Sequence, residues 1–589
     1  MSKALKSKYF DEVGTVPRAE YPRPQLQRDS YRCLNGSWDY AILTNKKIFS
    51  GYQGKILVPF SPESLLSGVE KTVKPDDVLY YHTEFTVDED FLNEVTLLHF
   101  DAVDYLCKVT LNGTELGTHA GGYIPFQFDV SEIIRPGKNE LSLEVTDPSD
   151  TGDQARGKQV LAPGGIWYPC QSGIWGPVWM ESVSADYISD LEIVPDFDTN
   201  YVYITPESTA DCVEVTITDP NRDNLVMAEA SGKGGERIAI ELVGYRPWTP
   251  ADPRLYDVTL KTSGDTVHSY FGMRKFSVHR DRFGINRLCL NDVTVFHNGV
   301  LDQGYWSDGL MTAPTDQAIK DDLQMVKDMG FNMVRKHIKV APLRYYYYCD
   351  KMGILVWQDM VSGGHDYDPA VVAVDPQLRI NLKDTKKNYR EFRRENPEGR
   401  EEFLRNVKET VHLLRNCVSL AMWVPFNEGW GQFDSEKVAA MVKKLDPTRT
   451  VDPASGWHDQ KSGDFRSRHI YFGKVHMPIR DNRCFILSEF GGYSRAVAGH
   501  TQAKLPFGYR FYFSKGSIQR AWKRLMEGQI IKNIRPSFLA GGLSASVYTQ
   551  LSDVEGEVNG LVTYDRKVEK LNPETMLPIA TALQQAVEE

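Results

Sequence analysis

Two glutamates, Glu428 and Glu489, end apolar segments of the chain, in the sequences WVPFNEGWGQ (423–432) and FILSEFGGYS (485–494). Each is followed by a glycine within two residues and by an aromatic residue. A carboxylate at the end of a buried strand needs either a compensating partner or a function, because its burial is costly. Two such carboxylates around one cavity favour hydrolysis of a glycosidic bond, in which one donates a proton and the other attacks the anomeric carbon or activates water.

The separation of the two carboxylates decides the stereochemistry of that reaction. A separation of about 5–5.5 Å gives double displacement with retention, whereas about 6.5–9.5 Å leaves room for a water molecule and gives inversion. The sequence does not supply this distance, so both outcomes stay open at this point. For each glutamate alone, a structural ion pair with an arginine of the same fold is the competing interpretation.

Alternating strands and helices are the elements that position these residues. After about residue 280, eight mostly apolar strand segments alternate with helical patterns such as TDQAIKDDLQMVKDMG (315–330), which predicts a closed (β/α)8 barrel. An open doubly wound sheet is the alternative, although the chain has no glycine-rich nucleotide-binding loop. Active sites of such barrels lie at the carboxyl ends of the strands. The polar residues predicted at these ends are Arg335 and His337 on the second strand, Asp359 on the third, Asn427 and Glu428 on the fourth, and Glu489 on the seventh.

The first half of the chain has the pattern of two β-rich units. Short alternating runs, broken by turn sequences, predict an all-β block from about residue 30 to about residue 183. A second strand-rich stretch of about 95 residues suits a small sandwich. We therefore predict three domains, at residues 1–184, 185–279 and 280–589.

Composition and charge exclude several classes of protein. Hydrophobic residues make up 41% and charged residues 25% of the chain, values typical of soluble globular proteins. The net charge of −11, without any basic stripe, argues against nucleic acid as a partner. No signal peptide or membrane-length apolar run is seen, which predicts a cytoplasmic protein with no membrane partner. The cysteines are widely spaced, so neither a metal nor a cofactor is predicted.

Eight segments, in order along almost the whole chain, resemble signatures of glycoside hydrolase family 2, the group of β-galactosidases, β-glucuronidases and β-mannosidases. They are LNGSWDY (34–40), GGYIPFQFDV (121–130), SGIWGPVWMESV (172–183), WTPADPRLYDV (248–258), FGMRKF (271–276), GFNMVRKHIKV (330–340), FNEGWGQ (426–432) and SEFGG (488–492). The resemblance implies a jelly-roll sugar-binding-type domain, an immunoglobulin-like β-sandwich and a C-terminal (β/α)8 TIM barrel that carries catalysis. It also implies retention, with Glu428 as acid/base and Glu489 as nucleophile. Glu428 then needs a raised pKa, which we expect repulsion from the nearby carboxylate to supply.

The resemblance assigns roles to further residues of the barrel. Asn427 is expected to hydrogen-bond the sugar 2-hydroxyl, and Tyr471 to donate to the nucleophile. Arg335, His337 and Asp359 match positions that line the subsite for the terminal sugar, although a structural ion pair of Arg335 is an equal alternative. Trp457 and Tyr548 are candidates for stacking on sugar faces, with ordinary core packing as the alternative.

One departure from the family pattern bears on the substrate. Glucuronidases of the family carry an Asn-x-Lys pair that binds the sugar carboxylate, and the corresponding stretch here, EVNGLVTYDRK (557–567), has Glu557 and Asn559 at those positions. Because a glutamate there would repel a uronic acid, a neutral sugar is favoured, with galactose first. β-Glucuronidase or another family 2 activity, and a catalytically silent carbohydrate-binding protein, are the alternatives. The resemblance further implies self-association. The metal sites of the large β-galactosidases are not expected in this protein, because the sequence has no clear metal-ligand spacing.

Overall fold

The computed structural model describes residues 5–44, 47–378, 380–476, 481–503, 505–535 and 542–588. Its first part contains two antiparallel sheets that face each other across a core of aromatic and aliphatic side chains. The six-stranded sheet has the order Gly54–Val58, Gly36–Thr44, Asp77–Val87, Gly137–Thr146, Leu106–Leu111 and Thr114–Ala120. The four-stranded sheet has the order Arg32–Cys33, Val178–Val183, Val95–Phe100 and Phe126–Asp129.

Two short strand pairs extend this sandwich. Gln159–Val160 pairs in parallel with Tyr168–Pro169, and Gly173–Ile174 pairs with Val103–Asp104. The loop around the first pair contacts the C-terminal part of the chain, since the backbone N–H groups of Arg156 and Gly157 donate to the carbonyl oxygen of Ser362. The N-terminal sandwich therefore has a segment that reaches the barrel.

A second sandwich follows, again built from alternating strands. Its three-stranded sheet has the order Asp190–Asp196, Tyr201–Glu207 and Ile238–Glu241, and its four-stranded sheet the order Leu225–Gly232, Val213–Asp219, Tyr256–Lys261 and Thr266–Phe271. A small sheet of Phe276–Arg280, Asn286–Leu290 and Val293–Thr294 leads into the barrel, so strand pairing crosses the predicted boundary at residue 279. The domain boundaries themselves stay predictions.

The C-terminal part is a nearly closed barrel of eight parallel strands. They are β1 (His297–Asp302), β2 (Met333–Lys336), β3 (Leu355–Asp359), β4 (Leu420–Val424), β5 (Thr450–Val451), β6 (Phe465–Ile470), β7 (Cys484–Gly491) and β8 (Leu543–Thr549). Their order is β5-β4-β3-β2-β1-β8-β7-β6, and every pairing in it is parallel. The predicted fold class, two β-rich units followed by a (β/α)8 barrel, is confirmed.

Helices cover the outside of the barrel. The longer ones are Asp316–Asp328, Leu343–Met352, Pro397–Leu414, Ser435–Leu445, Lys515–Leu525 and Pro573–Glu588. Short helical segments lie at Phe10–Glu12, Glu89–Phe91, Ser149–Thr151, Ala370–Val374, Asp375–Gln377, Lys386–Asn388, Met526–Ile531 and Lys532–Ile534, and Tyr493–Ser494 pairs with Arg510–Phe511. In the parts of the chain that the structure describes, no helix is both long and apolar enough to cross a membrane.

The helix Asp316–Asp328 shows how local sequence sets these elements. The Thr315 hydroxyl accepts a hydrogen bond from the backbone N–H of Ala318, which caps the first turn. Ile319, Leu323 and Val326 recur at helical spacing and are buried against the barrel. The helix therefore follows the amphipathic pattern that predicted it.

Candidate active site

The period of a strand brings polar residues of β2 and β6 into the barrel mouth. Along β2, Met333 points into the barrel interior and Val334 points to the helices. Two-residue alternation therefore turns Arg335, and His337 beyond the strand end, inward. The same alternation places His469 and Tyr471 on one face, and both contact the glutamates.

Glu428 and Glu489 face each other across a short gap. Three atoms lie within 4.8 Å of one another: one carboxylate oxygen of Glu428, one of Glu489 and a ring nitrogen of His469. The Glu428 side chain is 11% exposed and that of Glu489 is 5% exposed, so neither carboxylate points into bulk solvent. The structure thus brings together the two carboxylates predicted from the sequence.

The backbone at Glu428 is held in an unusual conformation. Glu428 has a φ of 50°, in the left-handed region that residues other than glycine seldom adopt. Its N–H donates to the carbonyl oxygen of Ser455 at 2.9 Å, which holds the chain in that conformation. Gly429 follows with a φ of 76°, and a Cβ there would lie 2.8 Å from the ring of His458. The glycine of the NEGWG segment therefore lets the chain turn directly after the glutamate.

Arg335 is the centre of the polar network beneath the pocket. Its Nε donates to Asp359 at 2.9 Å, Nη1 to Glu489 at 3.0 Å and Nη2 to the side-chain oxygen of Asn427 at 2.8 Å. The guanidinium is fully buried and all three nitrogens are used within the protein. The ion-pair alternative therefore describes Arg335, which holds the nucleophile candidate and Asn427 in place rather than presenting a free donor to a sugar.

Asp359 and His337 take different positions in that network. Asp359 accepts from Arg335 with one oxygen and contacts His337 Nδ1 at 2.7 Å with the other, so it is a buried support. Burial lowers the pKa of His337, so the ring is neutral, and its Nδ1–H donates to the Asp359 carboxylate. Its Nε2 has no hydrogen-bond partner among the described residues, which leaves an acceptor for a ligand hydroxyl.

Asn427 presents an unused donor to the pocket. Its side-chain oxygen accepts from Arg335, which fixes the amide orientation. Its Nδ2 is buried and has no hydrogen-bond partner among the described residues. Because an unsatisfied buried amide is costly, the group is suited to a ligand hydroxyl.

Tyr471 contacts Glu489 as predicted. Its hydroxyl donates to Oε2 of Glu489 and lies 3.2 Å from the hydroxyl of Thr549. Burial raises the pKa of Tyr471, so the phenol keeps its proton and remains a donor. The ring is stacked on Tyr509 at a centroid distance of 3.8 Å, which fixes its position.

His469 is a site residue that the sequence analysis missed. Its Nδ1 lies 2.6 Å from Oε1 of Glu428, and its Nε2 lies 2.9 Å from the Ser455 hydroxyl and 3.5 Å from Glu489. Burial lowers the pKa of His469 to about 4, so the ring is neutral at pH 7. Its position two residues before Tyr471 on the same strand was the available signal.

The aromatic candidates divide between pocket and core. Trp457 packs edge-on against His469 at 5.3 Å, and its buried Nε1 has no partner among the described residues. Tyr548 packs against Phe490 and Trp522, between the barrel wall and the helix Lys515–Leu525. The structure thus brings Trp457 to the edge of the pocket and leaves Tyr548 in the core, because β8 turns that side chain outward.

Glu557 and Asn559 lie at the mouth of the barrel. The carboxylate of Glu557 is buried, and it accepts from the hydroxyl of Tyr168 at 2.6 Å and from the Asn559 amide at 2.9 Å. Its charge contributes to the raised pKa of Glu428, which places it near that glutamate. The Glu557 carboxylate is therefore held by two protein donors.

Glu428, His469 and Glu489 are also close enough together that their donor atoms could hold a metal ion. His469 and Glu428 are 2.6 Å apart, a distance at which they share a proton rather than ligate one ion. The cluster accordingly favours proton transfer between side chains and a substrate.

Burial raises the pKa of both Glu428 and Glu489, and the charges that modify it differ between them. Burial raises the pKa of Glu428 to about 7, with a further increase from Glu557 and opposing effects of Lys158 and Arg335. The predicted direction agrees, whereas the largest cause is burial and not repulsion from Glu489. Burial also raises the pKa of Glu489, against the opposing effect of His469, and repulsion from Glu428 adds to the increase there.

These shifts predict a bell-shaped pH dependence of kcat/KM. A proton donor with a pKa of about 7 loses its proton as the pH rises, so activity should fall above about pH 7. A nucleophile must be ionised, so activity should also fall on the acid side, at a pH above the ordinary glutamate value of 4.5. Initial rates at low substrate concentration between pH 4 and pH 9 measure both limbs. A flat profile between pH 6 and pH 9 would contradict the assignment of Glu428 as the acid.

Family models match two separate parts of the chain. Residues 62–172 match a model described as the glycosyl hydrolase 2 galactose-binding domain-like family. Residues 286–482 match one described as the glycosyl hydrolases family 2 TIM barrel domain. The chain belongs to glycoside hydrolase family 2. This confirms the resemblance drawn from the eight sequence segments.

Relatives in the family have several different names. A β-galactosidase of Arthrobacter sp. is 24% identical over 424 residues, covering 71% of this chain and 37% of the relative. A mannosylglycoprotein endo-β-mannosidase of Lilium longiflorum is 28% identical over 416 residues, covering 60% of this chain and 40% of the relative. The chain thus spans less than half the length of these two curated relatives. The solved β-D-glucuronidase of Dictyoglomus thermophilum has the same fold, with a TM-score of 0.73 at 19% identity over 97% of this chain and 98% of that one.

Proposed function

We propose that this family 2 protein is a retaining exo-β-glycosidase that releases one terminal sugar by double displacement, with galactose as the first candidate sugar. The observation that carries the proposal is the pair of carboxylates within 4.8 Å, one with a raised pKa of about 7 and the other held by Arg335 and Tyr471. Family membership supports the reaction class, and the neutral sugar is supported by the buried carboxylate of Glu557.

In the first step, the carboxylate of Glu489 attacks the anomeric carbon while Glu428 gives its proton to the glycosidic oxygen. The bond from the anomeric carbon to that oxygen breaks, the aglycone leaves as an alcohol, and an ester joins the sugar to Glu489. The hydrogen bonds from Arg335 and Tyr471 orient the Glu489 carboxylate for attack.

In the second step, Glu428 is the base. It accepts a proton from a water molecule, the oxygen of which attacks the anomeric carbon, and the ester bond to Glu489 breaks. The free Nδ2 of Asn427 donates to the sugar 2-hydroxyl, a contact that strengthens as positive charge develops on the ring. Two inversions at the same carbon give net retention.

Exo action is supported by walls around the two glutamates. The loop of the N-terminal sandwich that carries Arg156 and Gly157 is hydrogen-bonded to Ser362, in the segment after β3. Tyr509, from the segment after β7, is stacked on Tyr471 on another side. A pocket with walls on these sides suits the terminal sugar of a saccharide better than a sugar in its interior.

A panel of nitrophenyl β-glycosides tests the proposal. We expect colour release from the β-galactoside or from another β-glycoside, and the β-anomer of the sugar as the first product detected by NMR. Complete silence on β-galactoside, β-glucuronide, β-glucoside and β-mannoside, together with measurable sugar binding, would replace the proposal by a carbohydrate-binding protein. A first product of α configuration would exclude retention. Self-association and a cytoplasmic location stay predictions.

A further inference from the structure

Lys158 is a cation that the N-terminal sandwich places at the barrel mouth. It directly precedes the strand Gln159–Val160, which pairs with Tyr168–Pro169. Its Nζ lies 5.5 Å from the ring centre of Trp430, two residues after the proposed acid, and 5.4 Å from that of Tyr168. The residue therefore belongs to the pocket although it lies far from the barrel in sequence.

Among the buried lysines that the structure describes, Lys158 differs in having no acceptor within the described residues. Lys336 pairs with Asp302 at 2.9 Å, Lys570 pairs with Asp553, and Lys339 donates to the carbonyl oxygens of Gly304 and Met311. Lys158 is only 6% exposed, yet among the described residues no carboxylate lies within 4.0 Å and no atom accepts a hydrogen bond from it. Contact with two aromatic faces offsets only part of the cost of burying an ammonium group.

The neighbourhood of Lys158 lies on the Glu428 side of the pocket rather than on the Glu489 side. Its charge is the largest charge effect on the pKa of Glu428 and on that of His337, the ring of which lies 6.2 Å from the Trp430 ring, whereas it is absent from the causes that shift Glu489. Glu428 is the residue proposed to protonate the leaving oxygen, so a group next to it faces the aglycone. The ring of Trp430 packs against two half-buried rings farther out. The ring centre of Trp167 lies 5.1 Å from that of Trp430, and the ring centre of Tyr367 lies 6.1 Å from it.

A second cation lines the same aromatic wall. The guanidinium of Arg156 lies 6.0 Å from the ring centre of Trp167 and 5.4 Å from that of Tyr367. Glu557, the carboxylate bonded to Tyr168, already accepts from Tyr168 and Asn559. Arg156 donates to the carbonyl oxygens of Gln159 and Gly364, and among the described residues neither it nor Lys158 pairs with a carboxylate. An aromatic wall with two such cations is suited to a ring that bears negative charge.

We propose that Lys158 binds an anionic group of the substrate, a carboxylate or sulfate on the leaving group beside Glu428. The inference rests on the proposed function, and it adds to it that the natural substrate is an acidic saccharide. A bound anionic group would give the ammonium an acceptor that the described residues do not supply. The anionic group that Lys158 binds could instead be a carboxylate on the terminal sugar. The experiment below distinguishes an anion on the leaving group from an anion on the terminal sugar.

The test compares the unchanged protein with Lys158→Met, which keeps the apolar stem and removes the charge. One pair of substrates consists of 4-carboxyphenyl and 4-carbamoylphenyl β-glycosides of the sugar that the nitrophenyl panel shows to be cleaved fastest. The other pair consists of nitrophenyl β-galacturonide and nitrophenyl β-galactoside. We expect the kcat/KM preference for the carboxyphenyl glycoside to fall about tenfold or more in the variant, the effect of losing a charge-assisted hydrogen bond.

The readout is a ratio at one pH, because loss of Lys158 also raises the pKa of Glu428. That change moves the alkaline limb of the profile to higher pH for every substrate. It therefore cancels in a ratio of two kcat/KM values measured at a pH below that limb. Lys108→Met is the matched control, since it removes the same charge from a half-exposed lysine of the same sandwich that pairs with Glu144. Its ratios should equal those of the unchanged protein, and thermal melting shows whether each variant is folded.

The outcomes are distinct. A fall only in the galacturonide-to-galactoside ratio supports anion recognition by Lys158 and places the anion on the terminal sugar. Unchanged ratios in a folded Lys158→Met protein overturn the inference and leave the glycosidase proposal intact. If the unchanged protein cleaves no glycoside, the proposed function fails, and calorimetric binding of a 4-carboxyphenyl β-thiogalactoside to the two proteins still decides whether Lys158 binds an anion.

Discussion

Replacing Glu489 with glutamine is expected to lower kcat by about a thousandfold or more on every β-glycoside that the protein cleaves. A neutral amide is not a nucleophile for the anomeric carbon, so the glycosyl ester does not form. The substitution also removes a charge that Arg335 pairs with at 3.0 Å, although Arg335 keeps Asp359 as a partner. Steady-state rates on nitrophenyl glycosides measure the effect.

Glu181→Gln provides a control matched in burial and charge. Glu181 is a buried glutamate of the N-terminal sandwich that pairs with Arg23 at 2.7 Å and with Arg28 at 3.2 Å. Its loss should lower the melting temperature and leave kcat near that of the unchanged protein. Glu489→Gly with added azide should form a glycosyl azide of inverted, α configuration, because azide enters once from the face that the carboxylate has left. Full turnover by Glu489→Gln would refute the nucleophile assignment.

Replacing Glu428 with alanine is expected to lower kcat/KM by about 10²–10⁴ for glycosides with poor leaving groups. The loss should be much smaller for dinitrophenyl glycosides, because that leaving group departs without a proton. The alkaline limb of the pH profile, set by a pKa of about 7, should disappear as well. Rates across a series of aryl leaving groups measure the first effect, and pH profiles the second.

Azide separates the two glutamates by stereochemistry. In Glu428→Ala, azide should attack the glycosyl ester on Glu489 and give a glycosyl azide of retained, β configuration. This is opposite to the product expected from Glu489→Gly. An equal loss of rate for all leaving groups, with the alkaline limb still present, would count against Glu428 as the proton donor.

Much of the fold follows from patterns that are local in the sequence. The helix Asp316–Asp328 has its cap, its apolar face and its end within 16 consecutive residues, 315–330, so its position was predictable. The barrel strands were predictable as apolar runs between helices, and Glu428 and Glu489 as acidic residues at the ends of two of them. In each case the residues that allow the prediction lie close together in the sequence, within one helix or one strand and its end.

Contacts between distant segments were not predictable in this way. His469 was missed because a histidine on a strand is ordinary until its two nitrogens are seen between the glutamates. Tyr548 was assigned to the pocket because an aromatic residue near a strand end looks the same whichever face it is on. The cause of the raised Glu428 pKa was assigned to Glu489, whereas burial depends on every atom packed around the carboxylate.

The sequence by itself determined the fold class, the family and the two glutamates, because periodicity and motif spacing are properties of neighbouring residues. Only the tertiary structure decided that Arg335 is fully used inside the protein, that Asn427 keeps a donor without a partner among the described residues, and that Lys158 of the N-terminal sandwich reaches Trp430 in the barrel. The physical reason is that hydrogen-bond satisfaction and charge pairing depend on distances between segments, which the order of residues along a chain does not contain.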